Sequence, residues 1–167
     1  MADLLGRVRR TYAGGADRPL GGYAAALTAF ATYAAAWTVA VRRSGRPLPE
    51  RPEPWDMALT AVATFRLSRL LSKGTVTSPL RAPFTRYEGP EGPAEVGEEP
   101  RGGRRETVGE LLTCPFCMSV WIGTTLTASR VLWPRATRTA MSAVAAVAGS
   151  DALQFAYTAM SEKVTKD

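Results

Sequence analysis

No charged side chain occurs from Leu20 to Val41, a long stretch that is rich in Ala, Thr and aromatic residues. About 20 such residues suffice for an α-helix to cross the hydrocarbon core of a bilayer. Basic residues flank the stretch on both sides: Arg10, Arg18, Arg42, Arg43 and Arg46. We therefore predict a first transmembrane helix over 20–41, between a basic N-terminal leader (1–19) and a Pro-rich linker (42–54).

A cleavable signal peptide is the alternative interpretation of an early apolar stretch, and Ala34-Ala35-Ala36 fits its cleavage site. The apolar region of a signal peptide is, however, shorter and nearer to the N-terminus. A retained membrane anchor is therefore favoured.

Three further apolar segments follow, over 55–72, 118–133 and 139–160. The first is amphipathic at its end, which leaves open whether it spans the membrane or lies on its surface. The last two are joined by a short polar segment with Pro134, as in an antiparallel helical hairpin. The pattern predicts an all-α membrane protein with three to four transmembrane helices and a polar, cytoplasmic insert.

The insert covers residues 73–110 and is rich in Gly, Pro and Glu. Ser78-Pro79 predicts one short helical turn. The segments Phe84–Glu88 and Arg104–Val108 are candidates for the two strands of a hairpin. We expect the acidic residues between them to form a solvated loop: Glu91, Glu95, Glu98 and Glu99.

The distribution of Lys and Arg predicts which side of the membrane the insert faces, because cytoplasmic loops are enriched in these residues. Four spans with an internal N-terminus place twelve of them inside and six outside. Three spans with an external N-terminus give the same numbers, and both arrangements put the insert on the cytoplasmic face. The net charge of +6 is explained by these flanks, since the basic residues form no patch with interleaved aromatics that would indicate nucleic acid.

Three stretches in a fixed order resemble one family: Ala63–Leu71, Ser78–Phe84, and Gly109–Cys117 with Trp121 beyond it. The chain resembles DUF1360, a bacterial membrane-associated family without an established function. The resemblance covers about 55–160, leaving 161–167 as a tail, and some members carry sporulation-related names. It implies a multi-pass protein of the bacterial inner membrane and supplies no catalytic residues.

The only two cysteines stand in Cys114-Pro115-Phe116-Cys117, at the start of an apolar segment. With Cys114 as the helix N-cap, the helix dipole would favour a thiolate, as in a dithiol redox site. No βαβ pattern surrounds the motif, which argues against a thioredoxin fold. Zinc needs four ligands, so with no His in the chain a site would be shared between protomers or completed by Glu110 or a partner. A structural role for the thiols is the third interpretation.

Asp151 lies inside the last apolar segment, where an acid marks a functional candidate by default. Arg66 and Arg69 are its predicted partners in an intramembrane polar pair. A static packing pair is favoured over a proton or ion pathway, because one acid does not make a relay.

These observations favour a small integral membrane protein that acts as a non-catalytic docking or assembly component. Its Cys-Pro-Phe-Cys surface would face the cytoplasm, with the bilayer and a protein partner or a second copy as its partners. The alternatives are a membrane-tethered thiol–disulfide redox protein using Cys114 and Cys117, or a shared metal site at these residues. The absence of His removes the commonest proton-transfer side chain and lowers the odds of an enzyme. No cofactor is predicted unless two protomers share zinc.

Overall fold

The structure is a computed structural model that describes residues 11–12, 18–51 and 53–166. Most of the predicted leader therefore lies outside the described residues. From residue 18 onward, the described residues form these helices and one hairpin, in order: α1 Leu20–Arg43, α2 Pro54–Lys73, α3 Ser78–Arg81, β1 Thr85–Gly92, β2 Glu95–Pro100, α4 Glu106–Thr113, α5 Pro115–Leu132 and α6 Pro134–Lys166. Two short 3₁₀ turns, Thr75–Thr77 and Gly103–Arg105, precede α3 and α4.

Helices α2, α5 and α6 pack together into a small core. Leu59 and Ala63 of α2 and Met141 of α6 are its buried apolar residues. Asp56 contacts Arg138 and Thr60 contacts Met141, so α2 and α6 run in the same direction. Arg130 of α5 instead reaches back to Asp56, so α5 runs antiparallel to both.

Helix α1 packs on the side of this core through aromatic side chains. Phe30 and Tyr33 contact the ring of Trp121 in α5, with ring centroids 5.2 and 5.0 Å away. The Tyr33 hydroxyl lies 2.5 Å from Oγ1 of Thr125. These contacts make α1 parallel to α5, and together the four long helices run up, down, up and down. None of the residues of α1 is buried.

The prediction of three to four transmembrane helices is not supported when the length and apolar character of each helix are considered separately. Among the described residues, α1 is the one helix that is long and apolar enough to cross a membrane. Helices α4 and α5, which meet at 75°, qualify as well if they are counted as one broken span. Helix α2 carries Asp56, Arg66 and Arg69, and α6 carries Arg138 and Asp151 among many small residues, which lowers the apolar character of both.

The insert contains the hairpin, but its second strand is not the predicted one. Strand β1 pairs antiparallel with β2, with Thr85 opposite Pro100 and Tyr87 opposite Glu98. The predicted strand Arg104–Val108 instead forms a 3₁₀ turn and the start of α4. Glu106 lies in the first helical turn, where a carboxylate interacts favourably with the helix dipole, and this outweighs the strand preference of Thr107 and Val108.

Two predicted boundaries also differ. The break between α5 and α6 is limited to Trp133, because Pro134 begins α6, a position where proline is well tolerated. Helix α6 then continues through 161–166, where the sequence predicted a separate tail.

Candidate functional site

The cysteine motif forms the corner between α4 and α5. Cys114 adopts an extended backbone conformation, with φ −99° and ψ 106°, and is the N-cap of α5. The backbone N–H of Cys117 donates a hydrogen bond to Sγ of Cys114 over 3.1 Å. Pro115 lies at the start of the helix, where its missing N–H costs nothing. The two thiols thus occupy the first turn of α5, and both are free and half-buried.

A cleft of about 440 Å³ opens beside this corner, between the start of α1, helix α4 and the first turn of α5. Its polar lining consists of Arg18, Tyr23, Thr107, Glu110, Thr113 and the two cysteines. The Tyr23 hydroxyl donates to Oε2 of Glu110 over 2.7 Å, and Arg18 lies 3.6 Å from Oε1 of the same carboxylate. Glu110 is therefore already engaged by two groups from the start of α1.

This arrangement bears on the metal interpretation. Among the residues that the structure describes, no three His, Cys, Asp or Glu side chains come together as a metal site. Glu110 therefore does not join the thiols as a third ligand within one chain. A zinc site at Cys114 and Cys117 would need ligands from a second protomer or a partner.

The protonation of Cys117 bears on the redox interpretation. Burial, the contact with the Cys114 thiol and the nearby Glu110 carboxylate raise the pKa of Cys117 to about 11. Cys117 precedes the apolar segment 118–133, so it lies at the end of the helix bundle. Because the thiolate is the reactive form, Cys117 is a poor nucleophile near neutral pH.

A buried arginine holds the insert together. The residue Arg81 is 0% exposed, and its guanidinium donates to both carboxylate oxygens of Glu98 over 2.7 and 3.1 Å. It also donates to the backbone carbonyls of Leu71 and Gly74, at the end of α2. Thr85 of β1 donates to the same Glu98 carboxylate. The node connects α2, α3 and both strands.

Two further ion pairs attach the hairpin to the end of α2. Arg69 binds the Glu95 carboxylate in two places, over 3.0 and 2.5 Å, and Lys73 lies 2.6 Å from Glu91. The expectation of a solvated acidic loop was therefore wrong for Glu95 and Glu98, whereas Glu91 is paired but stays exposed. Charge pattern alone could not reveal it, because the basic partners are 17 to 26 residues away in sequence.

Glycine at position 109 allows α4 to approach the hairpin. A Cβ there would lie 2.7 Å from the carbonyl oxygen of Phe84 and 2.9 Å from Cβ of Pro100. Both distances are shorter than van der Waals contact, so a larger residue would push α4, and with it Cys114, away from the insert. The close packing links the cysteine corner mechanically to the hairpin.

Residues 59–157, which include the insert, the cysteine corner and most of the helical core, match the family described as Protein of unknown function (DUF1360). The chain belongs to this family. A relative is the protein named Sporulation protein YjcA from Bacillus subtilis (strain 168), which is 33% identical over 99 residues, 56% of this chain and 84% of the relative. No solved structure matches the chain. The resemblance noted from the sequence is thereby confirmed.

The DUF1360 segment contains the predicted polar pair. Arg66 Nε lies 2.6 Å from Oδ2 of Asp151, although the N–H of Arg66 does not point at an acceptor among the described residues. The contact is thus an ion pair without hydrogen-bond geometry. Arg69, the other predicted partner, turns to Glu95 of the hairpin instead. Whether this pair lies within a membrane remains a prediction.

Sequence reasoning missed a second charge cluster at the opposite end of the bundle. Asp56 is 7% exposed and accepts two hydrogen bonds from Arg138, over 3.0 and 2.7 Å. Arg130 binds its other oxygen at 3.1 Å. The sequence signal for this cluster was Asp56 in the first turn of an apolar helix. A carboxylate at that position is equally explained by a favourable interaction with the helix dipole.

Proposed function

We propose that this DUF1360 protein is a multi-pass protein of the bacterial cytoplasmic membrane that acts as a non-catalytic docking or assembly component. Helices α1, α2, α5 and α6 lie in the bilayer, and the insert with the cysteine corner forms a rigid platform on the cytoplasmic face. The platform binds a protein partner or a second copy of the chain. No role in nucleic-acid binding is part of the proposal.

Large apolar side chains on the outside of the bundle support the membrane placement. Trp55 and Phe65 of α2 are 69% and 60% exposed, and Leu153 and Phe155 of α6 are 73% and 60% exposed. Such surfaces are rare in water but normal against lipid. The up-and-down order of the helices also agrees with four spans that leave the insert and the start of α1 on one side.

The charges of α2 and α6 do not argue strongly against this placement, because they neutralise each other between helices. Arg66 faces Asp151, and Asp56 faces Arg130 and Arg138. A charged side chain in a membrane almost always pairs within the bundle. Each of α2 and α6 is too polar to span a membrane alone. In the packed bundle, ion pairs between the helices compensate most of this charge.

The observation that carries the docking role is the buried Arg81–Glu98 node of the insert. A fully hydrogen-bonded charge pair specifies one conformation of the loop-rich insert. The insert is therefore built as a fixed surface. The relative's name, Sporulation protein, supports a function of the chain connected with sporulation.

Membrane topology is tested by thiol labelling in sealed vesicles. Cys114 should react with an impermeant maleimide from the cytoplasmic side only, whereas Cys117, with its raised pKa, should react slowly near neutral pH. In a background with both cysteines changed to Ser, a Ser44→Cys variant at the other end of α1 should react only from the opposite side. Labelling of both positions from the same side would exclude α1 as a span and the proposal with it.

A thiol–disulfide redox protein is the second candidate, favoured by the Cys117 amide bond to Cys114 Sγ. In that function the Cys114 thiolate attacks a substrate disulfide and releases one substrate thiol. Cys117 then attacks the mixed disulfide at Cys114 and releases the second substrate thiol. The substrate disulfide is thereby reduced by two electrons, and the two cysteines are oxidised to a Cys114–Cys117 disulfide. The raised pKa of Cys117 opposes the second step.

The rate of alkylation against pH separates the two functions. It is measured on Cys114→Ser and Cys117→Ser variants, each of which keeps one thiol. The docking proposal predicts that neither thiol titrates well below neutral pH. A Cys114 pKa well below neutrality would favour the redox function instead. Metal analysis of the purified protein, with and without reductant, tests the shared zinc site.

A further inference from the structure

An apolar groove runs along the outside of the bundle between α2 and α6, with a volume of about 630 Å³. One wall consists of Trp55, Ala58, Val62 and Phe65, which recur on one face of α2. The other wall consists of small residues of α6: Ser142, Ala145, Ala148 and Gly149. Its volume lies within the range of about 300–1,000 Å³ that is usual for sites that enclose a small molecule.

The length of the groove fits one leaflet of a bilayer. From Trp55 to Phe65 the helix rises by about 15 Å, half of the hydrocarbon thickness of about 30 Å. The groove ends next to the Arg66–Asp151 pair, which follows Phe65 and Gly149 in the two helices. A single acyl chain that entered at Trp55 would therefore end near that pair.

The open end of the groove carries positive charge. Arg135 and Arg138 precede Ser142 by seven and four residues, on the same face of α6. Arg138 is half-exposed and binds Asp56 through Nε and Nη2, with Glu53 at 3.6 Å. Within the described part of the chain, its Nη1 and the whole guanidinium of Arg135 have no acidic or hydrogen-bonded partner. Trp55 borders the same end, as aromatic residues do at membrane interfaces.

We infer that this groove binds one anionic phospholipid, with an acyl chain between α2 and α6 and the phosphate at Arg135 and Arg138. The lipid belongs to the leaflet opposite the insert. This inference rests on the proposed membrane placement. A phospholipid is favoured over a helix of a second copy because the small residues leave a narrow apolar channel. A second copy would also bring its own Arg135 and Arg138 to the same region, where the like charges would repel.

The test uses the purified full chain in detergent and native mass spectrometry with phosphatidylglycerol and phosphatidylcholine as probes. We expect one phosphatidylglycerol per chain to be retained. Phosphatidylcholine carries no net charge, so it should bind about fivefold more weakly for each arginine that contacts the phosphate group, at about 1 kcal/mol per basic residue. Arg135→Gln should reduce this preference. Equal binding of the two lipids to the natural chain would overturn the inference.

A matched pair of glycine variants tests the groove itself. A Cβ at Gly149 would meet no heavy atom within 4 Å, and the same holds for Gly21 on α1. Gly149→Leu should therefore fold and block the groove, and we expect it to lose the retained lipid. Gly21→Leu adds the same side chain to another exposed helix and should keep it. Unchanged retention in Gly149→Leu, or a change in its oligomeric state with no change in lipid, would contradict a lipid groove.

Carbonate extraction of membranes separates this inference from the proposed function. If the chain stays in the washed membranes but retains no lipid, only the groove assignment fails. If the chain is released into the aqueous phase, the membrane placement fails and the groove assignment with it.

Discussion

The insert and the helix bundle differ in how the polarity of their sequence relates to what they bury. The insert has a polar sequence, yet its centre is a fully buried arginine whose donors all find acceptors around Glu98. The bundle has an apolar sequence, yet many of its large apolar side chains face outward. Its few buried apolar residues are Leu59, Ala63, Ile122, Ala128, Leu132 and Met141. The insert carries its own stabilising contacts, whereas the bundle depends on the solvent around it.

The two regions also differ in how they hold charge. The Arg81–Glu98 pair has hydrogen-bond geometry on both carboxylate oxygens. The Arg66–Asp151 pair of the bundle is close but lacks that geometry. We therefore expect the insert to respond steeply to the loss of one polar group and the bundle to respond more to packing and to lipid.

Removing the buried guanidinium should have the largest effect. Arg81→Ala leaves the Glu98 carboxylate buried without its partner, which typically costs about 3–5 kcal/mol. We expect rapid chymotrypsin cleavage at Phe84 and Tyr87 in the hairpin, with the helices still intact. Arg86→Ala, at an exposed position of β1, is the matched control and should be resistant. Equal resistance of both variants would show that the node does not hold the insert.

The charge cluster at the other end of the bundle should come second. Asp56→Asn removes the negative charge shared by Arg130 and Arg138. We expect a loss of about 2–3 kcal/mol, below the cost for a fully buried pair because Arg138 is half-exposed. Thermal unfolding in detergent, followed by tryptophan fluorescence, measures it. Glu53→Gln changes a mostly exposed carboxylate nearby and should leave the transition where it was.

The contact between α1 and the insert gives a smaller, paired effect. A Cβ at Gly22 would lie 2.8 Å from Cβ of Thr107 in α4, whereas one at Gly21 meets nothing within 4 Å. Gly22→Ala should therefore destabilise the α1–α4 contact by about 1–2 kcal/mol. Gly21→Ala should be neutral or stabilising, because Ala favours helix. The same melting assay compares them, and identical behaviour would mean that α1 does not pack on α4 as described.

The sequence allowed helices α1 and α2 to be predicted well and the insert poorly, for a physical reason. Leu20 and Trp55 begin charge-free or periodic segments, so local composition is enough to place α1 and α2 to within two residues. Glu98 and Glu95 stand in a Gly- and Pro-rich segment that resembles a solvated loop, and their burial depends on Arg81 and Arg69 brought there by the fold. Local patterns cannot report such distant partners.

The same limit explains the mixed result for the candidate site. The N-cap position of Cys114 follows from Cys-Pro at a helix start, a local signal. The engagement of Glu110 by Tyr23 and Arg18 does not, because α1 reaches α4 only through the packing of the bundle.

A double-mutant cycle measures the coupling of Arg66 and Asp151. Each change to Ala should lower the yield and melting temperature of the detergent-extracted protein. The double variant should lose less than the sum, by a coupling of about 1 kcal/mol for a pair that is a quarter to a third exposed. Fully additive losses would mean that the two side chains do not stabilise the bundle as a pair.

The smallest effect is the response of the insert to acid. Burial alone would raise the pKa of Glu98, but the hydrogen bonds from Arg81 and Thr85 and the charge of Arg81 outweigh it, so the pKa lies below the ordinary value of 4.5. A carboxylate with a lowered pKa stabilises the folded state above the unfolded-state pKa, and the contribution disappears as the pH falls through the folded-state pKa. We therefore expect pepsin to cleave the hairpin increasingly fast below about pH 4, relative to an unfolded reference peptide. In Glu98→Gln, which has no charge to lose at this position, the relative rate should vary less with pH.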